Sequence, residues 1–310
     1  MSEAIVLFGA SGFVGRNLME RLTAEGRTVY AITGSGSPLP GAAATASLER
    51  AADLPLLPAD AIAVHVAAYR YDSERFELKQ SDILVNNLAL NARVFQFCAE
   101  RGVKELRMAS SVAVYPGHLA VMDDAEPLDL NAPPHTGEAF YAWSKRAAEV
   151  MADLYARQYG VHTISFRLSN PYGPHDSTDP RNAHVAPAFV MKALDSNPVF
   201  LIRGDPLVER DFVYVGDVVD AFVRSFSWRE RSDSLNLCTG QTVTLQTLAE
   251  MCLRLAGARK PIEAGAPGAF GPAKRVSTNA RIKAALGLAF RGLDDGLSPT
   301  MAWYRTHFHG

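Results

Sequence analysis

The apolar run Ala4-Ile5-Val6-Leu7-Phe8 leads directly into Gly9-Ala10-Ser11-Gly12-Phe13-Val14-Gly15. No other stretch limits the fold as tightly. A short apolar run without polar alternation fits a strand buried on both faces, as in a parallel sheet. Val14, Leu18 and Leu22 then recur at helical spacing up to Gly26. Glycines at such a strand–helix junction permit a tight turn and a close backbone approach, and the helix N-terminus favours a phosphate. The spacing is G-x-x-G-x-x-G instead of G-x-G-x-x-G, but the physics is similar. Gly9, Ser11, Gly12, Phe13, Val14 and Gly15 are therefore candidates to hold a dinucleotide pyrophosphate.

A second strand is expected over 28–32, its end meeting the adenosine ribose. An acid there holds the ribose hydroxyls of NAD. This chain reads Ile32-Thr33-Gly34-Ser35-Gly36, with neither acid nor arginine. An acid would repel a 2′-phosphate, so Thr33 and its neighbours favour NADP (NADPH), with NAD as the alternative. Residues 37–60 carry weak signals, a loop followed by a weak strand and a short helix. Residues 60–68 read as a buried strand, with His65 as a satisfied core residue and Ala67 and Ala68 as small residues where the cofactor passes. A long helix is expected over 74–101. Asn86 and Asn87 interrupt its apolar pattern, and one of them is expected to brace the strand end carrying Ser111.

That strand end is Arg107-Met108-Ala109-Ser110-Ser111, and a helix pattern starts near Glu138 and carries Tyr141 and Lys145. The spacing of four puts Tyr141 and Lys145 on one helix face. A tyrosine hydroxyl, with an unperturbed pKa of roughly 10, is a weak base near neutrality. A neighbouring ammonium lowers that value. With Ser111 holding the reacting oxygen, the three residues form a candidate device for moving a proton on and off a sugar hydroxyl or ketone.

The chain has 310 residues, enough for one large domain or one with a smaller lobe. Its formal net charge of -2 implies no general attraction to nucleic acid or acidic lipid. Cys98, Cys238 and Cys252 are far apart and lack metal-site spacing, which suits reduced core thiols in a cytoplasmic protein without a metal. The strand pattern at Ala4 leaves no room for a signal peptide, and no apolar run is long enough to span a membrane.

Downstream, the helix from 139 is expected to stop at Gly160, and 161–168 to form a strand ending in Arg167-Leu168-Ser169-Asn170-Pro171-Tyr172-Gly173-Pro174. Open α/β sheets bind ligands at such carboxyl ends. Arg210 precedes a helix in which Asp217 is the expected cap. A strand over 234–238, a helix over 245–256, a Gly/Pro/Ala-rich loop over 260–274 and two closing helices (279–286 and 297–304) complete the reading. Lys274 and Arg275 read as a solvated basic pair, with contact to phosphate as the alternative. The fold expected is a Rossmann-type doubly wound α/β sheet over 1–168, rejoined by 212–238. The remainder of 169–310 forms a smaller α/β substrate lobe.

As an ordered set, residues 9–15, His65-Val66-Ala67-Ala68, Ser110-Ser111, Val114-Tyr115, 141–145, 167–174 and 210–217 resemble the extended short-chain dehydrogenase/reductase family, in its NAD-dependent epimerase/dehydratase branch that acts on nucleotide sugars. The resemblance implies that Ser111, Tyr141 and Lys145 are catalytic and that Lys145 also holds the nicotinamide ribose. It implies that Asn86 is the family's helix asparagine, that Pro171 lies by the nicotinamide, and that Asn170 and Arg210 hold the substrate diphosphate. It also implies a homodimer through a four-helix bundle. Gly173-Pro174-His175-Asp176 followed by His184-Val185-Ala186-Pro187 looks like the GDP-fucose synthase subgroup, which makes His184 a candidate catalytic acid or a substrate hydrogen-bonder. That subgroup has a cysteine two residues after its serine. Ala113 stands there in this chain, which counts against double epimerisation. Dehydratases of the family have Asp-Glu after the serine or threonine. Val112-Ala113 offers no carboxylate, which sets dehydration aside.

The reading reached is NADPH-dependent reduction of a 4-keto nucleotide sugar. An NAD-dependent 4-epimerase is the alternative. A non-catalytic NADP-sensing protein is the rival from another class, and the presence of both Tyr141 and Lys145 argues against it.

Overall fold

The computed structural model describes residues 3–69, 77–264 and 274–308. The N-terminal half runs β1 (Ile5–Phe8), α1 (Phe13–Ala24), β2 (Val29–Thr33), β3 (Ala44–Ser47), β4 (Ile62–His65), α2 (Gln80–Glu100) and β5 (Glu105–Ser111). It continues through β6 (Val121–Met122), α3 (Ala139–Tyr159), β7 (His162–Leu168), β8 (Asn170–Tyr172), α4 (Val185–Leu194), β9 (Phe200–Ile202), β10 (Glu209–Arg210), β11 (Phe212–Tyr214), α5 (Val215–Arg224) and β12 (Asp233–Leu237). The chain closes with β13 (Val243–Thr244), α6 (Leu245–Ala256), β14 (Ile262–Ala264), β15 (Val276–Ser277), α7 (Ala280–Leu286) and α8 (Leu293–His307).

Seven strands form one parallel sheet in the order β12-β7-β5-β4-β1-β2-β3. The winding reverses between β1 and β4, so a crevice opens at their carboxyl ends, where open α/β sheets take ligands. The Rossmann-type fold read from the sequence is borne out. The strand periodicity shows why both faces need cover. Ile5 and Leu7 join one core cluster, with α1, α5 and α7, while Val6 and Phe8 join the other, with α2 and α3. Each such fully buried side chain contributes about 1.5–3 kcal/mol. A third cluster lies between α4, α6 and α8, beneath the short pair β9–β14.

Several local expectations are corrected. The strand expected over 60–68 forms ladder pairs over Ile62–His65, and after Val66, whose N–H still donates to the Phe8 carbonyl at 3.0 Å, the chain leaves the sheet to line the crevice. The helix expected from 74 begins at Gln80 after a short turn of helix at Glu77–Lys79, and 70–76 lie outside the described residues. In the loop expected over 260–274, Ile262–Ala264 pairs with β9, and 265–273 lie outside the described residues. Asp217 is not a cap: Tyr214 holds that position. Instead the Asp217 carboxylate, buried in the first turn, pairs with the Arg291 guanidinium and accepts its backbone N–H at 2.8 Å. This fastens α5 to the segment entering α8.

His65 is a core residue, as expected. Its Nε2 lies 2.9 Å from Asn91 Oδ1, and Asn91 Nδ2 donates to the Ser144 carbonyl at 3.3 Å. Asn91 thereby links β4, α2 and α3. Burial, opposed by the Asn91 hydrogen bond, pushes the imidazole down to about 4, so it stays neutral at pH 7. The three cysteines are buried free thiols.

Candidate active site

A cleft of about 1130 Å³ lies at the carboxyl ends of the sheet strands. After β1 it is lined by Gly9, Ser11, Gly12, Phe13 and Val14, after β2 by Thr33 and Gly34, and after β4 by Ala67, Ala68 and Tyr69. Ser111 at the end of β5, Tyr141 and Lys145 on α3, and Asn86 on α2 face the same space. So do Asn170, Pro171, His184 and Arg210. Gly15 is absent from the wall and sits beneath it, where a Cβ would run into the Gly9 carbonyl.

The glycine-rich turn fits a dinucleotide. Gly9 has φ +87°, and a Cβ there would approach the Ala67 backbone to 2.7 Å. The two loops that flank the crevice are thus held at backbone contact. Gly12 caps α1 with extended backbone and no side-chain hydrogen bond. The first-turn amides therefore face the crevice as an anion-binding end. The buried Thr33 hydroxyl accepts from Gly36 N at 2.9 Å and shapes the turn after β2. Arg93 of α2 also lines the cleft and pairs with Glu49 at 3.2 Å. Sequence reading finds no cation after β2, because this one arrives from a different element.

The two adjacent asparagines divide their roles. Asn87 is buried and exchanges two hydrogen bonds with the Tyr69 backbone, at 2.9 and 3.1 Å. It braces the loop after β4, not the strand end carrying Ser111. Asn86, one helix position away, lines the cleft.

Lys145 is buried, and its Nζ donates to the Ala109 carbonyl at 2.8 Å and lies 5.7 Å from the centre of the Tyr141 ring. Burial pushes the ammonium down to about 8, against the pull of Glu149 one turn further along α3. Glu149 also receives Ser110 Oγ at 2.6 Å and two nitrogens of Arg167, at 3.0 and 2.7 Å. Arg167 in turn donates to Tyr115 Oη, and Tyr115 to Asn236 Oδ1, each at 2.9 Å. The network joins β5, α3, β7 and β12 beneath Ser111. Ser111 Oγ accepts from Ala113 N at 3.2 Å. Val112 and Ala113 present only apolar side chains to the cleft.

His184 sits at the start of α4, its ring 5.6 Å from that of Phe13 in the glycine-rich turn. Its Nδ1 lies 2.6 Å from the carboxylate of Asp176, whose side chain is 1% exposed. Asp176 also accepts backbone N–H bonds from Ser177, at 2.8 Å, and His184, at 3.2 Å. With Nδ1 engaged, Nε2 is the nitrogen left for a ligand. Asn17 of α1 anchors this loop by donating to the Pro174 carbonyl at 2.9 Å.

The last wall is mixed in charge, with Glu138, Glu209 and Asp211 beside its arginines. Arg210 and Arg275 both line it, with Glu138 nearby. Arg275 is not half of a solvated pair. It is 7% exposed, while Lys274 is exposed and pairs with Glu209 at 2.8 Å. In the sequence Glu138 marks only a helix start, Asp176 only part of a motif and Arg275 only one of a basic pair. Glu149 is not singled out there, although an acid four residues after Lys145 on the same face is a local signal.

The chain is 27% identical over 323 residues to a dTDP-4-dehydro-6-deoxy-D-allose reductase of Streptomyces bikiniensis, covering 98% of this chain and 97% of that protein. It is 30% identical over 181 residues to a GDP-L-fucose synthase of Sinorhizobium fredii, covering 57% of each. A UDP-glucose 4-epimerase of Thermotoga maritima, solved with UDP-glucose, superposes with a TM-score of 0.84 over 98% of this chain and 99% of its own, at 22% identity, and shares the fold. With its glycine-rich crevice matched over residues 5–238, the chain belongs to the NAD dependent epimerase/dehydratase family.

Proposed function

We propose that the protein is an NAD(P)-dependent oxidoreductase that reduces a 4-keto (deoxy)sugar nucleotide. The observation that carries this reading is the buried Lys145 ammonium, 5.7 Å from the Tyr141 ring in the cleft that Ser111 also lines. The similarity to a 4-keto sugar nucleotide reductase along nearly the whole chain favours reduction over epimerisation.

The cofactor, when bound, supplies the hydride that adds to the keto carbon. Ser111 Oγ donates to the keto oxygen and orients it. Tyr141 gives that oxygen its proton, completing the alcohol, and the Lys145 charge stabilises the phenolate left behind. The glycine-rich turn and the α1 N-terminus hold the pyrophosphate of the cofactor, and Asn86, Ala67, Ala68 and Pro171 border its path. NADP is favoured, because the turn after β2 is free of acid and Arg93 adds a cation to the cleft. Asn170, Arg210 and Arg275 hold the diphosphate of the substrate, and His184 meets the sugar. Residues 169–310, apart from 212–238 that return to the sheet, serve as the substrate lobe.

The outer face of α2 and α3 exposes Val85, Phe140, Trp143, Val150 and Leu154. This stripe suits a homodimer in which the two helices pair with their copies in a four-helix bundle. Unpaired thiols suit the cytoplasm. No described helix is long and apolar enough to cross a membrane.

The test is turnover of NADPH with dTDP-, GDP- and UDP-linked 4-keto-6-deoxy sugars, for the wild type and Tyr141→Phe. The expectation is wild-type turnover with at least one of them, and a loss of about 10²-fold or more in the variant, with cofactor binding kept. Wild-type turnover by Tyr141→Phe sinks the triad. Release of near-stoichiometric NAD on denaturing the purified protein overturns reduction in favour of 4-epimerisation, since an epimerase regenerates and keeps its cofactor.

A further inference from the structure

Glu138 precedes α3 directly, three residues before Tyr141, and lines the cleft. Its Oε2 lies 3.3 Å from a terminal guanidinium nitrogen of Arg275. The other terminal nitrogen of Arg275 donates to the Pro116 carbonyl at 3.2 Å. The Arg275 Nε is buried and finds no hydrogen-bond partner among the described residues. Arg210 lies close enough to feel both neighbours: Glu138 favours its charge and Arg275 opposes it. Burial pushes the Glu138 carboxyl above its ordinary range, against the pull of Arg275, His135 and Arg210.

Three acids line this wall, Glu138, Glu209 and Asp211, and Glu138 is the one that pairs with Arg275. Two guanidiniums in a cleft wall form a subsite for an anion, and a carboxylate there repels the same ligand. A buried arginine also needs a counter-ion, because an unpaired buried charge is costly. Glu138 supplies one. A bidentate phosphate replaces it only by taking the same guanidinium.

We infer that Glu138 sets specificity as the counter-charge of the diphosphate subsite, holding Arg275 in the empty cleft and yielding it to the diphosphate of the substrate. The inference rests on the proposed reading of this cleft as a nucleotide-sugar site. The exchange makes binding weaker than two free arginines would give. It also penalises ligands that bring a single weak anion, since these cannot repay the broken ion pair.

The test is calorimetric titration of UDP, GDP and dTDP into wild type and Glu138→Gln, with melting curves for each. Glutamine keeps the shape and removes the charge. For the diphosphate that wild type prefers, binding by Glu138→Gln is expected to tighten about tenfold, or ~1.4 kcal/mol. Without ligand its Tm is expected to fall below wild type, and at saturating diphosphate to return to it. A nucleoside without phosphates is expected to bind both proteins alike. Binding that is unchanged or weaker in Glu138→Gln overturns the inference. If that variant does not fold, Glu138→Asp, which withdraws the carboxylate by one methylene, must still tighten the diphosphate, and equal or weaker binding overturns the inference too. Wild type that binds none of the three diphosphates sinks the reading of the cleft, and this inference with it. Tight binding by wild type without gain in the variants sinks this inference alone.

Discussion

The Ser110 hydroxyl, at the end of β5, donates a 2.6 Å hydrogen bond to Glu149 of α3. Glu149 also receives Nε and one terminal nitrogen of the Arg167 guanidinium from β7, so one carboxylate ties together the strand of Ser111, the helix of Tyr141 and Lys145, and the strand leading to Asn170. Replacing Glu149 with Gln leaves the Arg167 charge buried without its partner. Breaking a buried pair from one side costs about 3–5 kcal/mol. Urea unfolding of Glu149→Gln is expected to show a loss of that order. A loss below about 1 kcal/mol, the size of a surface pair, contradicts a structural role for the network.

Lys145 gives the site a pH limit. Its ammonium titrates at about 8, below its ordinary value, because burial penalises the charge. The proposed mechanism needs that charge to hold the developing phenolate. The kcat/KM for the nicotinamide cofactor, which reports groups of the free enzyme, is expected to fall as pH rises through about 8. A profile flat to pH 10 contradicts this.

His65 links stability to pH with the opposite limb. Its folded pKa, about 4, lies below the unfolded value of about 6.5. Between these values the unfolded chain binds more protons, so stability rises with pH across the window and is lost as pH falls through it. The contribution is of order 3 kcal/mol. His65→Gln, which keeps an N–H for Asn91, is expected to flatten the dependence of unfolding free energy on pH between about 4 and 6.5. An unchanged slope removes His65 as its source.

Asp176 orients His184. An Asn at 176 has one accepting oxygen where Asp176 has two, so it cannot keep the Nδ1 contact and both backbone N–H bonds, and its hold on the ring weakens. Asp176→Asn is expected to lower kcat about tenfold or more while leaving NADPH binding intact. In a His184→Asn background the same change is expected to cost nothing further, because a positioning residue acts only through its partner. Additive losses in the double variant indicate a separate, structural role.

The sheet, the glycine-rich crevice and the placing of Tyr141 and Lys145 on one helix face are legible in the chain's residues alone. These follow from local periodicity and from what glycine permits at a strand–helix turn. The division between Asn86 and Asn87 was not legible. Adjacent helix positions point in different directions, and only packing decides which one turns inward. The same holds for Lys274 and Arg275, one paired with Glu209 at the surface and the other buried against Glu138, across 137 residues of chain. Charge pairs between distant elements leave no trace in local spacing. Their partners are chosen by the tertiary structure, because a buried charge is tolerated only where the fold brings another to meet it.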